Sequence, residues 1–557
     1  MAGKKRSFEE RQAQLRRVQA EFEERKGGRP GKARRARSAS GKRRRWPLIF
    51  TGLLAAALIA AIGYAALSAQ QRYGRPVTDL FGDWFAVEGD WQAGQRPTIA
   101  PVIRAVQAVF PRSDLNEFTS RTPGAPVTVA GPSLEIASAP LCFQRNGRPI
   151  PTTAAPDPGV SVDCSYGRSA TIPVASEQGL VAAFQRAAPG DVIEIAPGDY
   201  KLGGTVFDAR RDGNPQQPII VRAAVPGSVT LNTQALETFR LTKQYWVVEN
   251  LDFVGQCGAA GCEHAIHISG PAENNVIRNN SFRNYNAALK VNRVARIDRQ
   301  PDGLLIEANS FRNDAPHPTS TPVTPIDVVA TDDVVIRGNL VADFGKSASD
   351  RVSYGLFVKG GSENPVIERN HVRCADSHSG GTRIGVSLGG GGTGMFLCKS
   401  PNCQQETIAG TIRGNIIEQC SDVGIYLNKA TASIIANNTL VDTRGIDARF
   451  DTTDALILNN VIDGRVAERD GGQVSMAGNE TSGLSAALLR RHSDGLIANA
   501  DGGDYRWADS AFAAQRGVPL PPRMANFRDY CGTAVDLASP PVGAIEQANG
   551  EACARRP

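Results

Sequence analysis

The chain has 557 residues, 41% of them hydrophobic and 21% charged, with a net charge of +6 and ten cysteines. That length admits several domains or one long solenoid, and the apolar content is too high for a disordered chain. The basic excess sits in residues 1–45, which hold 17 Lys or Arg against 5 Glu and so carry +12; residues 46–557 therefore carry −6, which removes any electrostatic reason to expect nucleic-acid binding by the body.

In chain order, the basic tail is followed directly by 26 uncharged residues, Trp46 to Gln71, centred on LIFTGLLAAALIAAIGYAAL. This run is long enough to span a bilayer as a helix. Positive flanks stay cytoplasmic, so the expected topology is a single-pass anchor in a bacterial inner membrane, with the tail inside and everything after about residue 72 in the periplasm. A cleaved signal peptide is the rival; its best cleavage site, Leu67-Ser68-Ala69, is poor. All ten cysteines lie beyond this run, as disulfides in an oxidising compartment require. Short separations suggest Cys257–Cys262 and Cys398–Cys403, local pairing suggests Cys142–Cys164 and Cys531–Cys553, and Cys374 and Cys420 remain for each other.

Residues 72–171 are rich in Pro, Gly and Thr, with a short helix near 101–110, and read as a stalk and irregular cap. SEQGLVAAFQRA (176–187) is an amphipathic helix with Ser176 as N-cap, suited to closing the end of a solenoid core. From 250 to 460 one frame recurs: an aliphatic residue, two residues, Asn, one residue, an apolar residue. It centres on Asn250, Asn280, Asn309, Asn339, Asn370, Asn415, Asn438 and Asn460, at spacings of 30, 29, 30, 31, 45, 23 and 22. Such periods mark stacked units. The flanking residues alternate as in strands, and helical periodicity is missing. The expected fold is all-β: a right-handed parallel β-helix over 172–482, with a helical N-terminal cap and a single transmembrane helix before it. Asn suits the bends because it tolerates left-handed dihedrals and can form a hydrogen-bonded ladder with its counterparts on neighbouring coils. Residues 483–557, with a helix SAALLRRH and a strand VGAIE, form the expected C-terminal cap.

A second strand precedes most of the frames, and its alternation defines two outward columns. The first is His267, Lys290, Asp327, Phe357, Ser387, Tyr426 and Asp447; the second is Ser269, Asn292, Val329, Lys359, Gly389, Asn428 and Arg449. Rings, amides, acids and cations on one face suit an acidic polysaccharide: aromatic rings stack on sugars, Asn and Asp bind hydroxyls, Lys and Arg pair with carboxylates. The glycine-rich GGGGTG (389–394) and the insertion after it would form one wall.

The stretches AAPGDVIEIAPGDY, PQQPIIVRAAVPGSVTL and YWVVENLDF resemble the start of the β-helix in the chondroitinase B and alginate lyase family. The resemblance implies β-elimination on a uronic acid, with a Lys base, an Arg on the neighbouring coil, and acidic groups holding calcium at the sugar carboxylate. Lys359 matches the family Lys in strand position. The family Arg would fall near Gly389, so Arg383 is the substitute expectation, and the acidic cluster is replaced by SDRVSYGLF. The expected catalytic set is Lys359, Arg383 and Tyr426, and the expected substrate-binding set is His267, Lys290, Asp327, Asn428, Asp447 and Arg449, with no cofactor other than the calcium the family implies. A non-catalytic carbohydrate-binding or envelope scaffold is the alternative, and a glycoside hydrolase the third reading.

Overall fold

The computed structural model describes residues 141–144, 146–151, 162–163, 169–295, 299–390, 393–394, 396–399, 403–481, 497–500, 503–508 and 516–546. The basic tail, the apolar run, the helix expected near 101–110 and SAALLRRH lie outside them. No described helix is long and apolar enough to cross a membrane.

Three long sheets of 10, 12 and 11 strands run along the molecule, and from Val192–Ile195 to Glu480–Thr481 consecutive strands of the chain fall in different sheets. The first sheet extends from Phe207–Asp208 to Arg465–Arg469, the second from Thr171–Val174 to Gln473–Ala477, the third from Gly198–Gly203 to Glu480–Thr481. All neighbours in these sheets pair in parallel, as in Ile277 opposite Val248 and Ile306. This is a parallel β-helix. Its inward columns are aliphatic and fully buried, for example Ile266, Leu289, Ile326, Leu356, Val386, Ile425 and Ile446. Phe253, Phe282 and Phe311 stack through the core with centroids 5.1 and 4.9 Å apart. Helix α1 (Glu177–Arg186) starts where Ser176 Oγ accepts from the Gly179 amide at 3.1 Å. It plugs the end of the core through Phe184, whose ring lies 4.9 Å from Phe239 and 5.3 Å from Trp246.

The asparagine ladder exists, one residue out of step at its start. Asn280, Asn309, Asn339, Asn370, Asn415, Asn438 and Asn460 each pass a side-chain amide to the next rung at 2.8–3.1 Å, ending on Asn479. Asn250 is not a rung: it aligns with Asn279, and Leu251 occupies the ladder position. The left-handed residue is also the one before each rung, such as Asn279 (φ 53), Ala308 (φ 55) and Asn437 (φ 53), not the rung itself. The two roles separate because the bend needs the backbone turned, while the ladder needs the next side chain aimed inward.

The same frames carry a second ladder. Outward on the second sheet, Glu194, Arg222, Glu249, Arg278, Glu307, Arg337, Glu368 and Arg413 stand opposite one another in strict alternation. Contacts include Arg278 Nε–Glu249 Oε2 and Arg413 Nε–Glu368 Oε2, both 2.7 Å. Neighbours about 4.8 Å apart would repel if their charges were alike.

The chain ends lie along the flanks. Leu141 and Phe143, from a small antiparallel sheet, cover Val192, Ile220, Val247, Val276 and Leu305 outside the second sheet. Tyr530, Val542, Ala544 and Ile545 pack on Ile416, Val441 and Val461 outside the third. VGAIE is therefore not a strand: its Ala544 carbonyl accepts from Tyr530 N at 2.8 Å in an irregular segment that serves as flank cover. The first sheet keeps its outer columns for other contacts. Three disulfides match expectation, Cys257–Cys262, Cys374–Cys420 and Cys398–Cys403. Cys142 and Cys531 are also bridged; Cys164 and Cys553 lie outside the described residues.

Candidate functional site

Strand pairing on the first sheet reproduces both outward columns. His267, Lys290, Asp327, Phe357, Ser387, Tyr426 and Asp447 are successive partners. Ser269, Asn292, Val329 and Lys359 are likewise partners, as are Asn428 and Arg449. Gly389 lies between those two runs at φ 78, where an added Cβ would sit 1.9 Å from the Asn428 carbonyl oxygen, so only glycine fits.

One cluster gathers at the N-terminal half. Lys290 Nζ contacts Asp327 Oδ2 at 2.6 Å. Asp327 is buried, and its second oxygen, Oδ1, has no hydrogen-bond partner. Lys359 stands beside it, its Nζ 4.2 Å from the Phe357 ring centroid. Burial holds the Lys359 ammonium below the usual lysine pKa and nearby Lys290 adds to this, while Asp327 and the buried Glu406 oppose it. One coil earlier His267 is clasped: its Nδ1 lies 2.9 Å from Glu237 Oε1 and its Nε2 2.8 Å from Asn292 Oδ1.

A second cluster forms further along. The Tyr426 hydroxyl accepts from Asn428 Nδ2 at 3.0 Å and interacts with Arg449. Asp447 holds Arg469 Nε at 2.9 Å, and Arg449 pairs with Asp470. Tyr426 is two coil steps from Phe357, about 10 Å. Between the clusters, Leu397 of the insertion packs against the group formed by Val329, Ala330 and Phe357.

Arg383 does not join either cluster. It lies six strand positions before Gly389, roughly 20 Å from the Lys359 column. It is 1% exposed and donates to the carbonyl oxygens of Cys374, His378 (2.8 Å) and Gly380 (3.1 Å). Burial lowers its pKa to about 10. The cause of the misplacement is a slip in alternation. Gly385 and Val386 both face the core, since a Cβ on Gly385 would meet Ile417 Cγ2 at 2.6 Å. Ile384 therefore faces out beside Tyr426, and Arg383 turns in to brace the loop tied by Cys374–Cys420.

Glu237, Arg240, Glu406 and Arg469 were not anticipated. Arg240 pairs with His267 in register, so extending the first column one coil back would have found it. Glu406 receives the Gly360 amide at 2.8 Å from within the aperiodic insertion, where spacing carries no signal. The calcium implied by the family resemblance does not fit: no described group of three or more His, Cys, Asp or Glu is placed to hold a metal, and Asp327 already faces two lysines.

No family model matches the chain, and no curated protein matches it. Among solved structures it is similar to pectate lyase Pel9A (14% identity, 69% of this chain and 91% of that one, TM-score 0.42) and to a rhamnogalacturonan lyase (14%, 57% and 87%, 0.40). An alginate lyase from Paenibacillus sp. str. FPU-7 also aligns (16%, 56% and 95%, 0.32). At these identities the likeness is one of fold alone, and the fold common to them and to this chain is the parallel β-helix.

Proposed function

We propose that this chain acts on an acidic polysaccharide by lyase-type β-elimination at a uronic acid, as a periplasmic protein held at the inner membrane by residues 46–71. The observation that carries the reading is Lys359: a partly buried lysine with a lowered pKa, on the outward column, beside a buried carboxylate oxygen that lacks a partner. A neutral amine at that position can take the proton next to the uronate carboxylate. The electron pair left behind forms the C4=C5 double bond as the C4–O bond breaks, and the departing oxygen takes its proton from water, while Lys359 returns the abstracted proton to solvent. Asp327 Oδ1 accepts a sugar hydroxyl, Lys290 and His267 line one side of the chain, and Tyr426, Asn428, Asp447 and Arg449 hold the sugars beyond the cleaved bond. Arg383 has no part in it.

The purified full-length chain in detergent, incubated with polygalacturonate, alginate and chondroitin sulfate, tests this. A rise in ultraviolet absorbance from the unsaturated sugar, lost in Lys359→Ala, supports the reading. A rise that survives that substitution sinks the assigned base.

A non-catalytic binding role is favoured by a different observation: outward acids and cations neutralise one another along the face, as in Lys290–Asp327 and Arg469–Asp447. Retention of one polymer without any absorbance rise would select it. The hydrolase reading loses its clearest pair, because Asp327 and Asp447 stand four pairing steps apart, about 19 Å, beyond the ~10 Å limit for paired carboxylates.

A further inference from the structure

The described contacts of the insertion that follows Gly389 tie it to the coil bearing Lys359 and to other coils of the first sheet. The Lys399 amide donates to the Gly360 carbonyl at 3.0 Å, and its side chain pairs with Asp332. Glu406 Oε2 receives both the Gly360 amide (2.8 Å) and Thr393 Oγ1 (2.7 Å). Arg293 Nη1 donates to the Cys398 carbonyl at 3.1 Å, Cys398 is bridged to Cys403, and Leu397 packs against the group of Val329, Ala330 and Phe357. The Phe396 side chain, by contrast, is 69% exposed, the most of any large hydrophobic residue among those described. Exposing a whole aromatic side chain forgoes burial free energy that its neighbour Leu397 obtains.

We infer that Phe396 is a specificity-determining stacking platform, which takes the apolar face of a sugar ring of the anionic polymer bound along the first sheet. The inference rests on the proposed function and deepens it. Two observations fix the occupant. Phe396 adjoins Leu397, which packs against the group of Val329, Ala330 and Phe357, and Lys359 Nζ lies 4.2 Å from the Phe357 ring centroid. Beside it, Lys290 is the basic group of the Lys290–Asp327 pair, and Asp327 Oδ1 is a buried acceptor without a hydrogen-bond partner. A ligand that needs cations, a hydroxyl acceptor and a flat apolar surface together is an acidic sugar, whose C–H face complements an aromatic ring while its edge carries the polar groups.

The test uses the full-length chain in detergent and affinity electrophoresis through gels containing alginate or polygalacturonate. Phe396→Ala should weaken retention roughly 3- to 10-fold. Phe396→Tyr should retain wild-type affinity, and Phe396→Leu should behave as the Ala variant because it restores apolar area without a flat face. The loss should be the same at low and high salt, whereas weakening by Lys290→Ala should be salt-dependent. The thermal midpoint should not move, since the ring is exposed. Wild-type retention in the Ala variant, or full rescue by Leu, overturns the inference while leaving the proposed function standing. If the wild-type chain is retained by neither polymer, the inference fails, and the absorbance assay decides the proposed function separately. A change in sedimentation with concentration in Phe396→Ala, with retention unchanged, would assign the ring to a contact between copies and overturn the inference.

Discussion

Asn370→Ala tests whether the asparagine ladder holds the coils together. Asn370 is fully buried. Its Oδ1 accepts from the Asn339 amide at 3.0 Å and from Asn339 Nδ2 at 2.9 Å, and its Nδ2 donates to the Ile336 carbonyl and to Asn415 Oδ1, both at 3.0 Å. Alanine removes all four. Asn339 Nδ2 keeps the Ile306 carbonyl, and Asn415 Oδ1 keeps the Asn370 amide. The Asn339 N–H and the Ile336 carbonyl lose the partners named here, in a site closed to water. At about 1–3 kcal/mol for each buried group left unpaired, the expected loss is roughly 2–6 kcal/mol. At the last rung, Asn479 is only partly buried, so water can replace its bonds, and Asn479→Ala should cost about 1 kcal/mol. Guanidinium unfolding followed by circular dichroism measures both, and amide hydrogen exchange over 335–341 reports the Asn339 N–H directly. A loss below about 1 kcal/mol in Asn370→Ala, or equal losses at the two rungs, would refute the argument.

Other outcomes follow from the same structure. Activity, once a substrate is in hand, should rise with pH as Lys359 loses its proton, with a midpoint below the ordinary lysine value of 10.5, and Lys359→Arg, which cannot deprotonate, should abolish it. His317 is buried and its pKa is lowered to about 4, first by burial and then by His378, against Asp314. Because the folded pKa lies below the unfolded value of 6.5, the unfolded chain binds the extra proton, so stability falls as pH drops from 6.5 to about 4 and levels off below. The loss from this group is about 3 kcal/mol, and His317→Gln should remove that part of the pH slope in unfolding titrations. Glu307→Lys would set three cations in adjacent coils, Arg278, Lys and Arg337, and should destabilise by roughly 3–5 kcal/mol in the same unfolding assay. An unfolding midpoint unchanged by Glu307→Lys would mean that the alternation of charge carries no weight.

Much of this fold was written in local pattern, because a β-helix repeats one coil and each coil meets only its neighbours. Period-two alternation sufficed to align His267 through Asp447 across seven coils, and short sequence separation sufficed for Cys398–Cys403. The Glu/Arg ladder is equally legible, since VVEN, IRNN, IEAN, IRGN and IERN spell it out. What pattern could not decide were the places where alternation breaks or where distant segments meet. Asn250 departs from the frame, with Asp252 where the others carry an apolar residue, and strand pairing puts Leu251 on the ladder position. Two successive inward residues at Gly385 and Val386 turn Arg383 from the groove into the core, which no count of positions reveals. Glu406 reaches Gly360 across 46 residues, and the chain ends choose flanks by matching apolar surface that exists only after the coils have stacked. Local periodicity determines the scaffold and its outward columns. The groups that shield and close the site are decided by long-range packing, where loop geometry rather than sequence spacing sets which side chains meet.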